Sequence, residues 1–278
     1  MPTYDRPVTL PTAAASAILV ALVLAVGASP GAALQASVPG PGTAQVIVHN
    51  PAADEPAPEP STEPQPAAPA QPAAGTVDCR KAKCIALTFD DGPVRQTATV
   101  LDALRARGAR ATFFVLGSMA RQHPALLRRM LAEGHAIGNH SWNHPQFFRM
   151  STAAVRKQVG STNAVIRKAT GTTPTMMRPP FGEQNGRIRK ALGRSGDAVI
   201  LWNVDTEDWK YRNTKRVADY VVKHARRNAI VLMHDIRPTT RAAVPSMVAR
   251  LQAKGYTLVT VPELLGGRLK PGKVYTNG

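Results

Sequence analysis

From Cys84 onward, short apolar runs alternate with segments whose apolar residues recur at helical spacing, and this alternation narrows the possible folds more than any other feature. Residues 85–89, 111–115, 135–140, 176–181, 198–204, 230–233 and 256–261 read as short strands. Between them, residues 96–107, 123–132, 151–171, 187–192, 214–225 and 241–253 read as helices. Val155, Val159, Thr162 and Ile166 mark one such apolar stripe; Ser151 is its candidate N-cap and Gly171 its stop. About seven strand–helix units predict the α/β class and a distorted, TIM-like (β/α)7-type barrel. In such barrels the chemistry collects at the C-terminal ends of the strands.

The head of the chain is different. No charged residue occurs between Arg6 and Asp54, and the strongly apolar stretch 18–26 is too short for a spanning helix. Residues 1–36 are therefore expected to be a signal peptide or N-terminal anchor, with export to the cell surface or medium. Residues 37–76, rich in Pro, Ala and Gly, are expected to form a disordered linker ahead of a catalytic domain over 77–278. The formal charge is +17; residues 1–76 hold one basic and five acidic residues, so residues 77–278 carry +21. Such a domain is drawn to polyanions. Basic and aromatic residues are not interleaved, which argues against nucleic acid, so the expected partner is an anionic cell-wall or matrix polymer, the alternative being a generally basic surface with no dedicated partner. In an exported chain, Cys79 and Cys84 read as a disulfide at the domain's edge.

The residues ending the strands carry the chemistry. Residues 85–89 run into Asp90-Asp91-Gly92-Pro93. Successive strand residues face opposite ways, so two adjacent carboxylates can serve one site only if the chain leaves regular geometry there. The third strand runs into His140 and His144, a spacing that on a helical turn would set two imidazoles about 6 Å apart, close enough to grip one metal. Later strands end in Arg178-Pro-Pro-Phe181-Gly182, Asp205-Thr-Glu-Asp208-Trp209 and Leu232-Met-His234-Asp235. Any one of these clusters is commonplace at a turn. Five at five strand ends are not.

The ordered set TFDDG, HSWNH, RPPFG, DTEDW and LMH resembles the NodB-homology polysaccharide deacetylases, carbohydrate esterase family four, over about residues 84–265. The resemblance implies that Asp91, His140 and His144 hold one divalent metal, Zn²⁺ foremost and Co²⁺ also accepted. It implies Asp90 as general base, helped by Arg178, and the Phe181 N–H as oxyanion donor. His234 would be the general acid with Asp205 as its partner, while Trp209 and Leu232 would wall the acetyl slot. Phe181 departs from the family, which more often has Tyr there. Asp208 and Asp235 are expected to be structural.

The resulting expectation is an exported, monomeric, metal-dependent hydrolase. It would remove N-acetyl groups from N-acetylglucosamine polymers, peptidoglycan before chitin, and touch a membrane only through an uncleaved anchor. Its rivals are an O-acetyl (acetylxylan-type) esterase and a catalytically silent wall-binding module.

Overall fold

The computed structural model describes residues 77–278. The segments expected over 1–36 and 37–76 lie outside the described residues. Among the described residues no helix is long and apolar enough to cross a membrane.

The chain winds through β1 (Cys84–Asp90), α1 (Thr97–Arg105), β2 (Thr112–Val115), α2 (Gly117–Gln122), α3 (Pro124–Ala132), β3 (Ala136–Asn139), α4 (Thr152–Thr170), β4 (Met176–Met177) and α5 (Gly186–Arg194). It continues through β5 (Ala198–Ile200), β6 (Val204–Asp205), α6 (Asp208–Tyr211), α7 (Thr214–His224), β7 (Ala229–His234), α8 (Pro238–Ala253), β8 (Thr257–Leu258), α9 (Val261–Leu264) and β9 (Val274–Tyr275). All strand pairs are parallel, in the order β6-β7-β1-β2-β3-β4-β5-β9, and β8 pairs with the start of β1. The outermost barrel strands, β5 and β6, are successive pieces of one segment, so the sheet curls back toward itself as the (β/α)7 pattern requires.

Three expected strands are shorter than their apolar runs: residues 256–261 yield only Thr257–Leu258, because Thr260 caps α9. Residues 178–181 leave the sheet because Pro179 and Pro180 cannot donate to a ladder. Residues 198–204 form two strands rather than one. Leu201 N–H donates to Tyr275 in β9, then Asn203 N–H donates to Ile230 in β7, so the chain changes partners midway. Strand β9 gave no usable sequence signal, since two residues show no period.

Strand β1 is buried along its whole length and shows how the barrel divides its contents. Ile85, Leu87 and Phe89 pack outward with Val100, Leu104, Val244 and Met247 of α1 and α8. Cys84 and Ala86 share the inner cluster with Phe114, Met176, Ile200 and Ile230. Burying each large apolar side chain contributes about 1.5–3 kcal/mol. The same alternation turns Thr88 and Asp90 inward at the strand's C-terminal end. Cys79 and Cys84 are joined as a disulfide beneath the opposite end. Helix α4 has the expected caps: Ser151 Oγ accepts from Ala154 N–H at 3.2 Å, and Gly171 is left-handed at φ 77°.

Inside the barrel Phe114 lies over Gly138, where a Cβ would stand 2.5 Å from its ring. Gly138→Ala should therefore cost about 1–3 kcal/mol through overpacking, lowering the melting temperature by several degrees in a thermal unfolding experiment. An unchanged melting temperature would show that Phe114 moves aside freely.

Candidate active site

Register sets the first pair. Asp90 in β1 lies directly beside His234 in β7, and Asn139 in β3 lies beside Met177 in β4, so His140 and Arg178 follow as neighbours. Asp91 then adopts φ 72°, the departure from strand geometry that the adjacent carboxylates demand. Both now reach one ring: His140 Nε2 is 3.7 Å from Asp90 Oδ2 and 3.6 Å from Asp91 Oδ1. His144 Nε2 is 3.7 Å from the same Asp91 oxygen.

The two histidines do not share a helical turn, contrary to the spacing argument. They sit on an irregular loop in which Ser141 and His144 both have positive φ. Asn139 Oδ1 accepts from Ser141 N–H at 2.7 Å, and Ser141 Oγ accepts from His144 N–H at 3.0 Å. Gly117 and Ser118 of α2 donate to the carbonyls of Ser141 and Trp142. The loop brings the rings to 5.0 Å between centroids.

Asp91, His140 and His144 offer ligand atoms within 4.8 Å of one another. Asp91 Oδ1 is buried without a hydrogen-bond partner, an uncompensated cost that a cation between it and the two imidazoles would remove. His140 Nδ1 lies 2.6 Å from the Arg178 carbonyl, which fixes the ring with Nε2 free to ligate. Burial pushes the His140 pKa down to about 3, so the ring is the neutral form a metal needs. The donor set fits a divalent ion.

Arg178 is fully buried behind Asp90 and does not line the cleft. Its Nη1 donates to Asp90 Oδ1 at 2.8 Å and to Thr88 Oγ1 at 2.7 Å. Its Nε and Nη2 donate to the carbonyls of Ile200 and Leu201, and the guanidinium lies over the Phe114 ring. Burial raises the Asp90 pKa, and the charges of Arg178 and His234 oppose that rise.

The expected partner of His234 is wrong. His234 Nδ1 lies 2.7 Å from Asp208 Oδ1, and its backbone N–H donates to Asp208 Oδ2 at 2.8 Å. Thr240 Oγ1 donates to the same carboxylate. Asp205 lines the cleft but accepts instead from the Glu207 N–H. Between them Glu207 has φ 50°, and this left-handed step turns Asp208, not Asp205, under the imidazole. Burial works against the charged His234 ring, but the hydrogen bond and charge of Asp208, with Asp90 and Asp91 behind, raise its pKa to about 9. Asp208 is thus more than structural. Asp235 stays out of the cleft, buried against Thr97 and filling the space where a Gly92 side chain would be.

These residues converge on a cleft of about 430 Å³, lined by Asp90, Asp91, His140, His144, Phe181, Asp205, Trp209, Leu232 and His234. Pro179, Gly182, Trp202 and Arg237 complete its wall. Trp202 and Arg237 escaped the sequence reading. Trp202 lies within the run expected as one strand, and it enters the cleft wall where that run breaks. Phe181 is 60% exposed and left-handed at φ 59°. Among the described residues nothing accepts from its N–H, which leaves that donor available to a ligand. A larger hollow of about 720 Å³ lies at the other end of the barrel and contains none of these groups.

Comparison with known proteins agrees with this constellation. Residues 78–199 match the family model for polysaccharide deacetylase. The chain is 47% identical over 194 residues to the peptidoglycan-N-acetylglucosamine deacetylase PgdA of Listeria monocytogenes, a match spanning 69% of this chain and 41% of that protein. It is 37% identical to a peptidoglycan-N-acetylglucosamine deacetylase of Bacillus cereus, over 66% of this chain and 88% of that one. The solved peptidoglycan deacetylase PdaC of Bacillus subtilis superposes with a TM-score of 0.65 at 44% identity, covering 68% of this chain and 92% of that chain. The chain belongs to the polysaccharide deacetylase family, the metal-dependent hydrolases of carbohydrate esterase family four. It spans about two fifths of the length of the Listeria protein.

Because the folded His234 pKa is raised from 6.5 to about 9, its ion pair contributes stability that is full below pH 6.5 and is lost as pH rises through about 9. Asp208→Asn removes the main counter-charge and leaves burial opposed only by the charges of Asp90 and Asp91. The ring should then lose its proton near or below the ordinary histidine range, as followed by proton NMR against pH. A His234 titration left near 9 in the variant would assign the effect to another carboxylate.

Proposed function

We propose that this protein is an exported, metal-dependent deacetylase that releases acetate from N-acetylglucosamine residues of peptidoglycan. One observation carries the reading: a buried, arginine-held carboxylate and a carboxylate-paired histidine meet beside an Asp–His–His trio in one cleft. That is a base, an acid and a metal seat around one point, as hydrolysis of an amide requires. The names of the relatives support peptidoglycan as the polymer.

Asp91, His140 and His144 would hold the ion, Zn²⁺ in the first place, which would polarise the acetamide carbonyl and make water more acidic. Asp90 takes the proton of the attacking water; its pairing with Arg178 opposes the rise in pKa that burial brings. The free N–H of Phe181 is available to the developing oxyanion. His234, protonated through Asp208, delivers a proton to the leaving amine. Trp209 and Leu232 bound the slot for the acetyl methyl. The segment 1–36 would direct export, and the excess positive charge would draw the enzyme to an anionic wall.

Acetate release by the purified protein should vanish on metal stripping and return with zinc, on peptidoglycan more than on chitin oligomers. Release from acetylated xylan alone would replace the amide reading with an ester one. His140→Ala should lose bound metal by elemental analysis. Asp90→Asn should keep the metal and lose about 10²–10⁴-fold in turnover; a rate near that of the unaltered enzyme would remove Asp90 from the role of base.

A further inference from the structure

Positive charge is unevenly distributed over this domain. Between Glu133 and Asp197 the chain carries ten lysines and arginines against a single acid, Glu183. Arg178 is spent on Asp90 in the interior. None of the other nine is ion-paired to another described residue. Other helices do pair theirs: Arg129 binds Asp102 and Glu133, and Lys215 and Arg250 share Asp219.

Two hollows open along α4. One, of about 560 Å³, lies between α4 and α5 and is lined by Arg156, Lys157, Gly160 and Arg194. All four are exposed, and nothing occupies the space above Gly160. The other, of about 420 Å³, is lined by Trp142, Met150, Gln158 and again Lys157. Trp142 stands two residues from both His140 and His144, and its N–H donates to Gln158 of α4 at 2.8 Å. In a parallel β/α unit the helix descends from the rim where the preceding strand ends. At 1.5 Å per residue, Arg156 is about 6 Å and Gly160 about 12 Å below the start of α4. Lys157 lines both hollows, so they adjoin side by side on α4 as a trough near the metal loop.

We propose that this trough holds the glycan strand being deacetylated by carboxylates carried on its repeats, so that the enzyme selects a peptide-substituted, anionic glycan over a neutral one. The proposal rests on the deacetylase reading above. Guanidinium groups match the fork of a carboxylate, and clustered like charges raise the local concentration of an anionic polymer. A small free anion would call for a buried polar cradle. These three cations are exposed and spread over two helices, an arrangement suited to several weak contacts along a polymer.

The test uses the full-length, zinc-loaded protein and the variant R156Q/K157Q/R194Q. KM and kcat are measured on soluble peptide-bearing peptidoglycan fragments and on a neutral N-acetylglucosamine hexamer, at low and raised salt. On the anionic glycan the variant should raise KM by roughly tenfold at low salt, keep kcat within about twofold and lose most of the salt dependence. On the neutral hexamer nothing should change, and R156K/R194K, which keeps the charge without the fork, should give a KM between those of the two proteins. An equal rise in KM on both substrates, or none on the anionic one, overturns the proposal. So does competition by soluble polyphosphate without any preference for the anionic glycan. Should the unaltered protein release acetate from neither substrate, the deacetylase reading fails on its own, and retention on insoluble peptidoglycan against chitin still reads the trough. Charge-dependent retention lost in the triple variant supports it, and equal retention by both proteins sinks it.

Discussion

A buried arginine holds the site together. A guanidinium removed from water costs several kcal/mol unless it is paired and hydrogen-bonded, and Arg178 meets that requirement with groups from two parts of the sheet. Thr88 and Asp90 come from β1, and the Ile200 and Leu201 carbonyls from the end of β5. Its own carbonyl takes the His140 ring. One residue therefore fixes the candidate base from behind and sets the orientation of a candidate metal ligand. The order of strands is what lets it do both, because β4 stands between β3 and β5.

From that anchor the charges separate by role. Asp90 is given a cation and Asp91 is left with an unpaired oxygen facing two imidazoles, so adjacent carboxylates meet opposite environments. Two of the three cleft histidines, His140 and His234, diverge in the same way. Burial without a facing hydrogen-bonded carboxylate keeps His140 neutral, whereas Asp208 makes His234 a cation. Local strain accompanies this sorting. Asp91, Ser141, His144, Phe181 and Glu207 all hold positive φ around the cleft, each at a cost of about 1–3 kcal/mol. The fully buried β1 and its two clusters supply the stability that offsets it.

Much of this was legible beforehand. Apolar period, caps and glycine stops located the longer helices and the central strands, though not the short α2, α6 and α9, and polar residues at strand ends marked the cleft. The misreadings share one cause. Spacing along the chain assumes regular geometry, and the site is built where geometry is irregular. The i, i+4 interval of His140 and His144 suggested a helical turn, yet the pair is assembled by side-chain bonds from Asn139 and Ser141. Asp205 was the expected partner of His234 and Asp208 a structural residue, and the chain's left-handed step at Glu207 reverses those roles. Trp202 was hidden in a run that reads as one strand and forms two.

By itself, the sequence determined the α/β alternation, the family, the identity of most cleft residues and the excess of cations in residues 134–196, because period, composition and residue type are local properties. Only the tertiary structure decided which carboxylate pairs with which cation, that Asp90 stands in register with His234, and that cations of α4 and α5 line one hollow. Those facts depend on strand register and on where the sheet curls closed, and contacts between distant parts of a chain leave no signature in the spacing of its neighbours.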